Sequence, residues 1–294
     1  MLDYVQFVLA PQMATGLSLG VAVTLVALGL TIIFGLLDVI NMSHGEFYAV
    51  GAYLALALGG AGVDFWLLLI LVPAAMLPIG YVVERGLIQR VFNAPDRHTT
   101  TLLLTFGLGL VIEDGLSVIF GPNTQRPPTP IRGATEIAGV MLPNYRIFLI
   151  VFGLLVVAAV ALVVYRTRLG AMVRAAAFDR HMAASLGVPV SLVFAGAFAF
   201  GLALAGLAGV LLAPIYSVFP TMGRDFILLA FTVVIVGGMG SIAGAVIAGL
   251  ALTQIQAISS LYISPVWSDP IVFGILVVVL MVRPQGLFGG LGRA

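Results

Sequence analysis

Apolar positions along the chain come in long unbroken runs, not in strict alternation. They cover 12–37, 39–58, 65–83, 100–120, 147–165, 190–213, 226–261 and 270–282. A helix needs about 20 apolar residues to cross the hydrocarbon core of a bilayer, so most of these runs read as spans. The 226–261 run is too long for one span and breaks at Gly237-Gly238-Met239-Gly240-Ser241, giving a short helix, a turn and a second helix. The pattern predicts an all-α polytopic membrane protein of about eight transmembrane segments, nine if that run and the second segment divide further. It forms a single transmembrane domain over residues 1–294. Gly16 and Gly20, then Gly240, Gly244 and Ala248, recur every four residues, the spacing that lets membrane helices approach closely.

Polar residues at membrane depth are costly and point to function. Asp38-Val-Ile-Asn41-Met-Ser43-His44-Gly45-Glu46 places two carboxylates, a histidine, an amide and a hydroxyl between the first two runs. That density fits an unwound turn followed by a half-helix, with amides near Ser43 to Glu46 open to a polar ligand. The other reading is a cytoplasmic loop of capping residues. Asn41, Ser43, His44, Gly45 and Glu46 are candidate path residues, and Gly237, Gly238, Gly240 and Ser241 are their candidate counterparts in the second half. The two interruptions are candidate marks of an internal repeat. Glu113 and Asp114 lie about two thirds along their span. Adjacent helical residues point about 100° apart, so only one can face a path squarely. Glu113 is taken as that one; both at the outer water boundary is the alternative.

The stretch 170–189, GAMVRAAAFDRHMAASLGVP, separates two apolar runs and reads as an exposed helix. Alanines favour helix, Gly187 sits at a C-terminal cap and Pro189 stops it. Phe178, Met182 and Leu186 recur every four residues as an apolar ridge flanked by Arg174, Asp179, Arg180 and His181. A plain connection needs no ridge, and a core helix needs no charges. The stretch therefore predicts a surface helix fitting a groove on a partner, with a helix resting on membrane lipid as the other reading.

Composition narrows the classes. The chain is 61% hydrophobic and 9% charged, where a soluble chain carries about a quarter charged residues. A net charge of +1 offers no basic patch for nucleic acid. All thirteen basic residues are arginine. Without lysine there is no Walker A loop and no Schiff-base site. Without cysteine there are no disulfides or thiolate metal sites. His44, His98 and His181 are far apart and none sits in a His-Glu-x-x-His pattern, so neither a metal site nor a catalytic centre is expected. Residues placed for passage without chemistry point to a transporter or channel.

Asp3 precedes the first apolar run with no positive charge, which does not fit a cleaved signal peptide. Arg85, Arg90 and Arg97, then Arg166, Arg168, Arg174 and Arg180, then Arg283 and Arg293 fall on one side if the spans alternate. The positive-inside rule makes that side cytoplasmic and puts the N-terminus outside, with Arg126, Arg132, Arg146 and Arg224. The 121–146 loop is then external (periplasmic), stiffened by Pro127-Pro128-Thr129-Pro130, and serves as a docking surface or a simple connection.

The run GLTIIFGLLDVINMSHGEFYAVGAYLA at 29–55 closely resembles the opening of the LivH-type permease subunits of bacterial branched-chain amino acid ABC importers. Asn41, His44, Gly45, Glu46, Gly51 and Tyr53 occupy the matching positions. RAAAFDRHMAASLGV resembles that family's cytoplasmic coupling segment, and VIVGGMGSIAGAVIAG and RPQGLFG extend the likeness over nearly the whole chain. The resemblance implies the ABC importer permease fold with discontinuous helices in the bacterial inner membrane. It implies a second permease, homologous in preference to identical, two cytoplasmic ATPase subunits that carry ATP and Mg, and a periplasmic substrate-binding protein. No cofactor is expected in this chain. Arg174, Phe178, Asp179, Met182, Leu186 and Gly187, in the coupling segment at 166–189, are the ATPase-coupling candidates. Glu113 and Asp114 depart from the uncharged polar residues of a typical member. That departure keeps urea, short amides and small carboxylates in view beside branched-chain amino acids. From a different class, a proton-coupled carrier would use Glu46, His44 and Glu113, and a passive amide or urea channel would need no partner.

Overall fold

The computed structural model describes residues 5–92, 94–137 and 139–289; Asp3 and Arg293, used above to read the termini, lie outside the described residues. The membrane helices are α1 (Ala10–Leu37), α2 (His44–Gly60), α3 (Phe65–Val83), α4 (Arg97–Phe120) and α5 (Asn144–Arg166). Two short helices, α6 (Arg168–Phe178) and α7 (Arg180–Ser185), precede α8 (Val190–Tyr216), α9 (Met222–Gly237), α10 (Ile242–Tyr262) and α11 (Ser268–Val282). Six helices, those built on α1, α3, α4, α5, α8 and α10, are long and apolar enough to cross a membrane. Before α5 the chain makes a small hairpin, β1 (Ala134–Ile137) against β2 (Val140–Pro143), with Ala134 opposite Pro143. The proline run predicted a stiff loop there, and the hairpin is what stiffens its second half.

Two helices make the core. In α1 and α8, 83% and 89% of the most apolar stretch is buried, against 17% in α4. Neither core helix contains a charged residue. They cross where Gly29 meets Gly201: a Cβ on Gly201 would lie 2.8 Å from the Gly29 carbonyl oxygen, so only glycine permits this approach. The two run in opposite directions. Ile32 near the end of α1 shares a cavity wall with Val193 and Ala197 near the start of α8. At the other end Thr15 is hydrogen-bonded by Arg146, and the neighbouring Tyr145 hydroxyl donates to Leu211 at 2.7 Å.

The packing around this pair is reciprocal. Along α1, Gly16 lies against Ala257 and Gln254, Gly20 against Thr253, and Gly35 against Gly240, so α10 covers it antiparallel. Along α8, Gly206 lies against Met76 and Ala199 against Gly80, so α3 covers it antiparallel. Each half lends its third helix to the first helix of the other half. Asp38 (φ 52°) ends α1 and Ser217 (φ 64°) ends α8; among the described residues they are the non-glycine residues with positive φ. Asp38 (ψ 45°) is left-handed helical, which a short polar side chain tolerates, whereas Ser217 (ψ 165°) is extended with positive φ, a region that favours glycine. Beyond each, a short non-helical link leads to a half-helix, α2 or α9. The chain is an inverted repeat, α1-break-α2-α3 against α8-break-α9-α10.

Two sequence expectations change. The apolar run at 39–58 becomes helical only at His44. The 170–189 stretch is two helices broken at Asp179, which has extended backbone (φ −150°, ψ 106°). Its carboxylate accepts hydrogen bonds from the amides of His181 and Met182 at 2.8 and 2.9 Å. Aspartate competes with helix continuation in this way by becoming an N-cap.

Candidate functional site

The starts of the two half-helices cross each other. Gly45 is the second residue of α2 and Gly223 the second of α9. A Cβ on Gly223 would lie 2.7 Å from the Gly45 carbonyl oxygen, and a Cβ on Gly45 would strike the Gly223 carbonyl. Three residues further along each, Tyr48 and Phe226 stack with centroids 4.3 Å apart. Between them come Glu46 and Arg224, within electrostatic reach of each other. Equivalent positions of the two repeats therefore meet their own counterparts, as they must at a twofold axis.

Beyond Asp38 the first break is mostly buried, and its polar groups are partly satisfied. Thr105 of α4 accepts from the Met42 amide at 3.1 Å, and Ser43 donates to Asn41 Oδ1 at 2.7 Å. His44 Nε2 sits 3.0 Å from the Val26 carbonyl, which puts the proton on Nε2. Asn41, Ser43 and His44 are fully buried and Glu46 is 5% exposed. The cluster lies at the level of Val26, about halfway along α1, and not in a loop at the end of the bundle. Asn41 Nδ2, His44 Nδ1 and Glu46 Oε2 have no hydrogen-bond partner among the described residues. At the base of this break, Arg97 at the start of α4 holds Asp38 at 2.9 Å.

The second break carries the exposed charges. Arg224 binds both carboxylate oxygens of Glu113, at 2.6 and 2.8 Å; its side chain is 57% exposed and that of Glu113 14%. Glu113 thus faces α9, while the adjacent Asp114 points outward from the bundle. Asp225 turns the other way, into a cavity of about 390 Å³ shared with Tyr48, Tyr216, Gln256 and Asp269. Glu113 is seven residues from the end of α4, about 10 Å along the axis.

Gly237, Gly238, Gly240 and Ser241 are not brought to this crossing. They form the turn between α9 and α10, with Ser241 Oγ accepting from the Gly244 amide at 3.1 Å. The turn rests on Gly35 and on the tail, where the amides of Leu287 and Phe288 donate to Val236 and Gly237 at 2.8 and 3.1 Å. Gly35 is nine residues from Val26, about 14 Å along α1. The true counterpart of the Asp38 break is the link at 217–221, which the sequence reading passed over. Its signal is quiet: Pro220 flanked by Ser217 and Thr221, then Gly223 and Arg224. Arg224 had been read only as an outer-side charge.

At the end of the bundle away from the hairpin, α6 and α7 present the ridge. Phe178, Met182 and Leu186 are 78, 62 and 79% exposed. Gly187 (φ 84°) closes α7 in a Schellman turn: the Val188 amide donates to Ala183 and the Gly187 amide to Ala184, both at 3.0 Å. The Met182 and His181 amides hold the Asp179 carboxyl below the usual carboxylate range. Arg174 turns back to donate to the Val164 carbonyl in the last turn of α5. Phe178, Met182 and Leu186 thus form the exposed patch, and Arg174 anchors α6 to the bundle.

Hydrolase chemistry finds no footing in the one serine motif present. Gly16-Leu17-Ser18-Leu19-Gly20 has the spacing of a nucleophile elbow, but it lies within α1 and Ser18 donates to the Thr15 carbonyl at 2.8 Å. Among the described residues no three His, Asp or Glu side chains gather into a group able to hold a metal ion.

Residues 12–281 match the family described as branched-chain amino acid transport system / permease component. The high-affinity branched-chain amino acid transport system permease protein LivH of Salmonella typhimurium is 32% identical over 95% of this chain and 94% of its own. BraD of Pseudomonas aeruginosa, described in the same words, is 31% identical over 95% of each chain. LivM of Salmonella typhimurium is 26% identical over 90% of this chain and 67% of its own. No solved structure matches. A family match over nearly the whole length, on a bundle of membrane-length helices, makes this multi-pass membrane protein a member of the permease components of branched-chain amino acid transport systems.

Proposed function

We propose that this chain is one permease subunit of an ATP-driven importer that carries branched-chain or related hydrophobic amino acids across the bacterial inner membrane. The observation that carries the coupling half of the reading is the exposed Phe178-Met182-Leu186 ridge, an apolar patch on two short helices beyond the membrane spans. It is the surface a cytoplasmic ATPase would grip. The absence of lysine, and with it of a Walker A loop, supports ATP and Mg binding on other chains. The substrate comes from the names of the relatives, LivH and BraD. The similarity to LivM supports a homologous second permease.

If α1, the 38–60 segment, α3, α4, α5, α8, the 217–237 segment, α10 and α11 each cross once, there are nine crossings and the N-terminus lies outside. The 121–146 hairpin region then faces the periplasm, where a loaded binding protein docks, and the 166–189 helices face the ATPases. Asn41, Ser43, His44, Gly45, Glu46 and Glu113 line or support the path at the crossing of the half-helices; Gly237, Gly238, Gly240 and Ser241 would move with the cytoplasmic end of α9. A carrier or channel working alone would not need the ridge.

The test is co-purification with the neighbouring gene products, followed by ATP-dependent leucine uptake in proteoliposomes. Wild-type chain is expected to retain the ATPases in detergent, and the Phe178→Ala, Met182→Ala variant to lose them while its melting temperature stays unchanged. Uptake by this chain alone, indifferent to ATP, would overturn the reading.

A further inference from the structure

Apart from Glu84, buried just past the end of α3 and 3.7 Å from Arg85, charged side chains within the spans gather on one part of the molecule. The spans α8 and α10 carry none, and α5 carries none between its first and last turns. Glu46, Glu113, Asp114, Arg224 and Asp225 all belong to the contiguous helices α2, α4 and α9, with Asp269 beside Gln256 on the far wall of the neighbouring cavity. An arginine side chain 57% exposed between membrane-length helices is not stable against lipid, so this face meets water or the second permease.

Three groups on that face form a set. Arg224 holds Glu113 through both carboxylate oxygens. Glu46, 95% buried and with Oε2 unpartnered, lies directly behind, against Gly223. One cation between two carboxylates, only one of which it holds, leaves a negative position unfilled. The N-termini of α2 and α9 cross beside it and add partial positive charge from their free amides. Arg224 with these termini suits a carboxylate; Glu113 with the unpartnered Glu46 suits an ammonium. On α4, Phe106 and Leu110 continue the Glu113 stripe at helical spacing and are 51 and 41% exposed, an apolar surface beside the charges.

We infer that the Arg224, Glu113 and Glu46 set receives the two charged ends of a zwitterionic amino acid in transit. The substrate carboxylate replaces Glu113 on Arg224, its ammonium settles between Glu113 and Glu46, and its side chain lies along Phe106 and Leu110. The net charge of the site does not change when a zwitterion enters, whereas an anion meets excess carboxylate and a neutral amide cannot open the ion pair. This inference rests on the importer reading and narrows its substrate class from within the permease.

Two measurements test it in the assembled importer. The chain has no native cysteine, so Leu110→Cys can be labelled alone with a membrane-impermeant thiol reagent, with Leu155→Cys on the exposed apolar face of α5 as the lipid-facing control. Leu110→Cys is expected to react and Leu155→Cys to stay unlabelled; an unreactive Leu110→Cys would overturn the site whatever the importer does. Arg224→Gln is expected to cut leucine uptake roughly tenfold or more, because the substrate carboxylate loses its charged hydrogen-bond donor. Arg224→Lys, which keeps the charge but not the planar guanidinium, should fold normally and fall between Arg224→Gln and wild type. Normal uptake by Arg224→Gln would overturn the inference. So would full recovery in the Glu113→Arg, Arg224→Glu exchange, because a purely structural pair survives reversal and an oriented site does not. If the wild-type complex takes up leucine without ATP, the importer reading fails instead, and the labelling result stands apart from it.

Discussion

The two breaks occupy equivalent places in the two repeats and have opposite surroundings. The first is mostly buried from Asn41 to Glu46 and bonds inside the protein, the His44 ring to Val26 and the Met42 amide to Thr105. The second, from Ser217 to Asp225, has apolar Phe219 and Met222 where the first has Asn41 and His44, and it turns its charges outward. One break holds the other in place. The polar density that makes 38–46 conspicuous in the sequence is mostly structural, and the working charge at the crossing comes from the quieter partner. Inverted repeats permit this division because the twofold axis brings equivalent positions together while leaving their chemistry free to diverge.

The contact between the two breaks is the place to attack first. Gly223→Val or Gly45→Val places side-chain atoms in the opposing backbone, and the loss should exceed about 3 kcal/mol, the upper range for overpacking. Little assembled protein should survive detergent extraction, as size-exclusion chromatography would show. An intact bundle from either variant would mean that the half-helices do not touch there.

Exchanging the first residues of the half-helices sharpens the difference between them. Met222→His buries an imidazole with no carbonyl waiting for it and should cost about 2 kcal/mol. His44→Met removes only the bond to Val26 and should cost about 1 kcal/mol. Thermal unfolding in detergent reads both; equal losses would mean that the two breaks are equally polar inside.

The smallest effect lies away from the crossing, at the break in the surface helices. The folded Asp179 carboxyl titrates below its unfolded value of about 3.9. Its cap is therefore present in full above that value and is lost as pH falls through the lower folded value. Amide exchange in α7 should quicken on acidification toward pH 3 while α10 stays protected, and Asp179→Ala should show the fast exchange at neutral pH. Unchanged exchange in that variant would remove the capping role.

Much of this was legible in the sequence because hydropathy is a strong signal over twenty residues. Spans, the surface ridge and the polar first break all announce themselves in residue type. The second break does not, because backbone can leave a helix through a positive-φ serine and a proline without any charge, as it does at Ser217 and Pro220. Glycines at 237–240 look louder but serve an ordinary turn. Asp179 was ambiguous for another reason: alanines on both sides favour helix, and whether an aspartate caps or continues depends on two amide bonds that composition does not encode.

The reciprocal packing of α1 and α10 also sets a schedule for biogenesis. Gln12 near the start of α1 bonds to Ala257 in α10, 245 residues later in the chain. At ~5–20 residues per second of synthesis, α1 waits roughly 12–50 seconds in the membrane before that neighbour exists. For that interval its buried hydroxyls, Ser18, Thr24 and Thr31, and its small-residue face lie open to lipid or to whatever insertion machinery holds them. A chain stopped before α10 carries an uncovered core helix, so truncation late in translation should yield a substrate for membrane proteases and not a smaller permease.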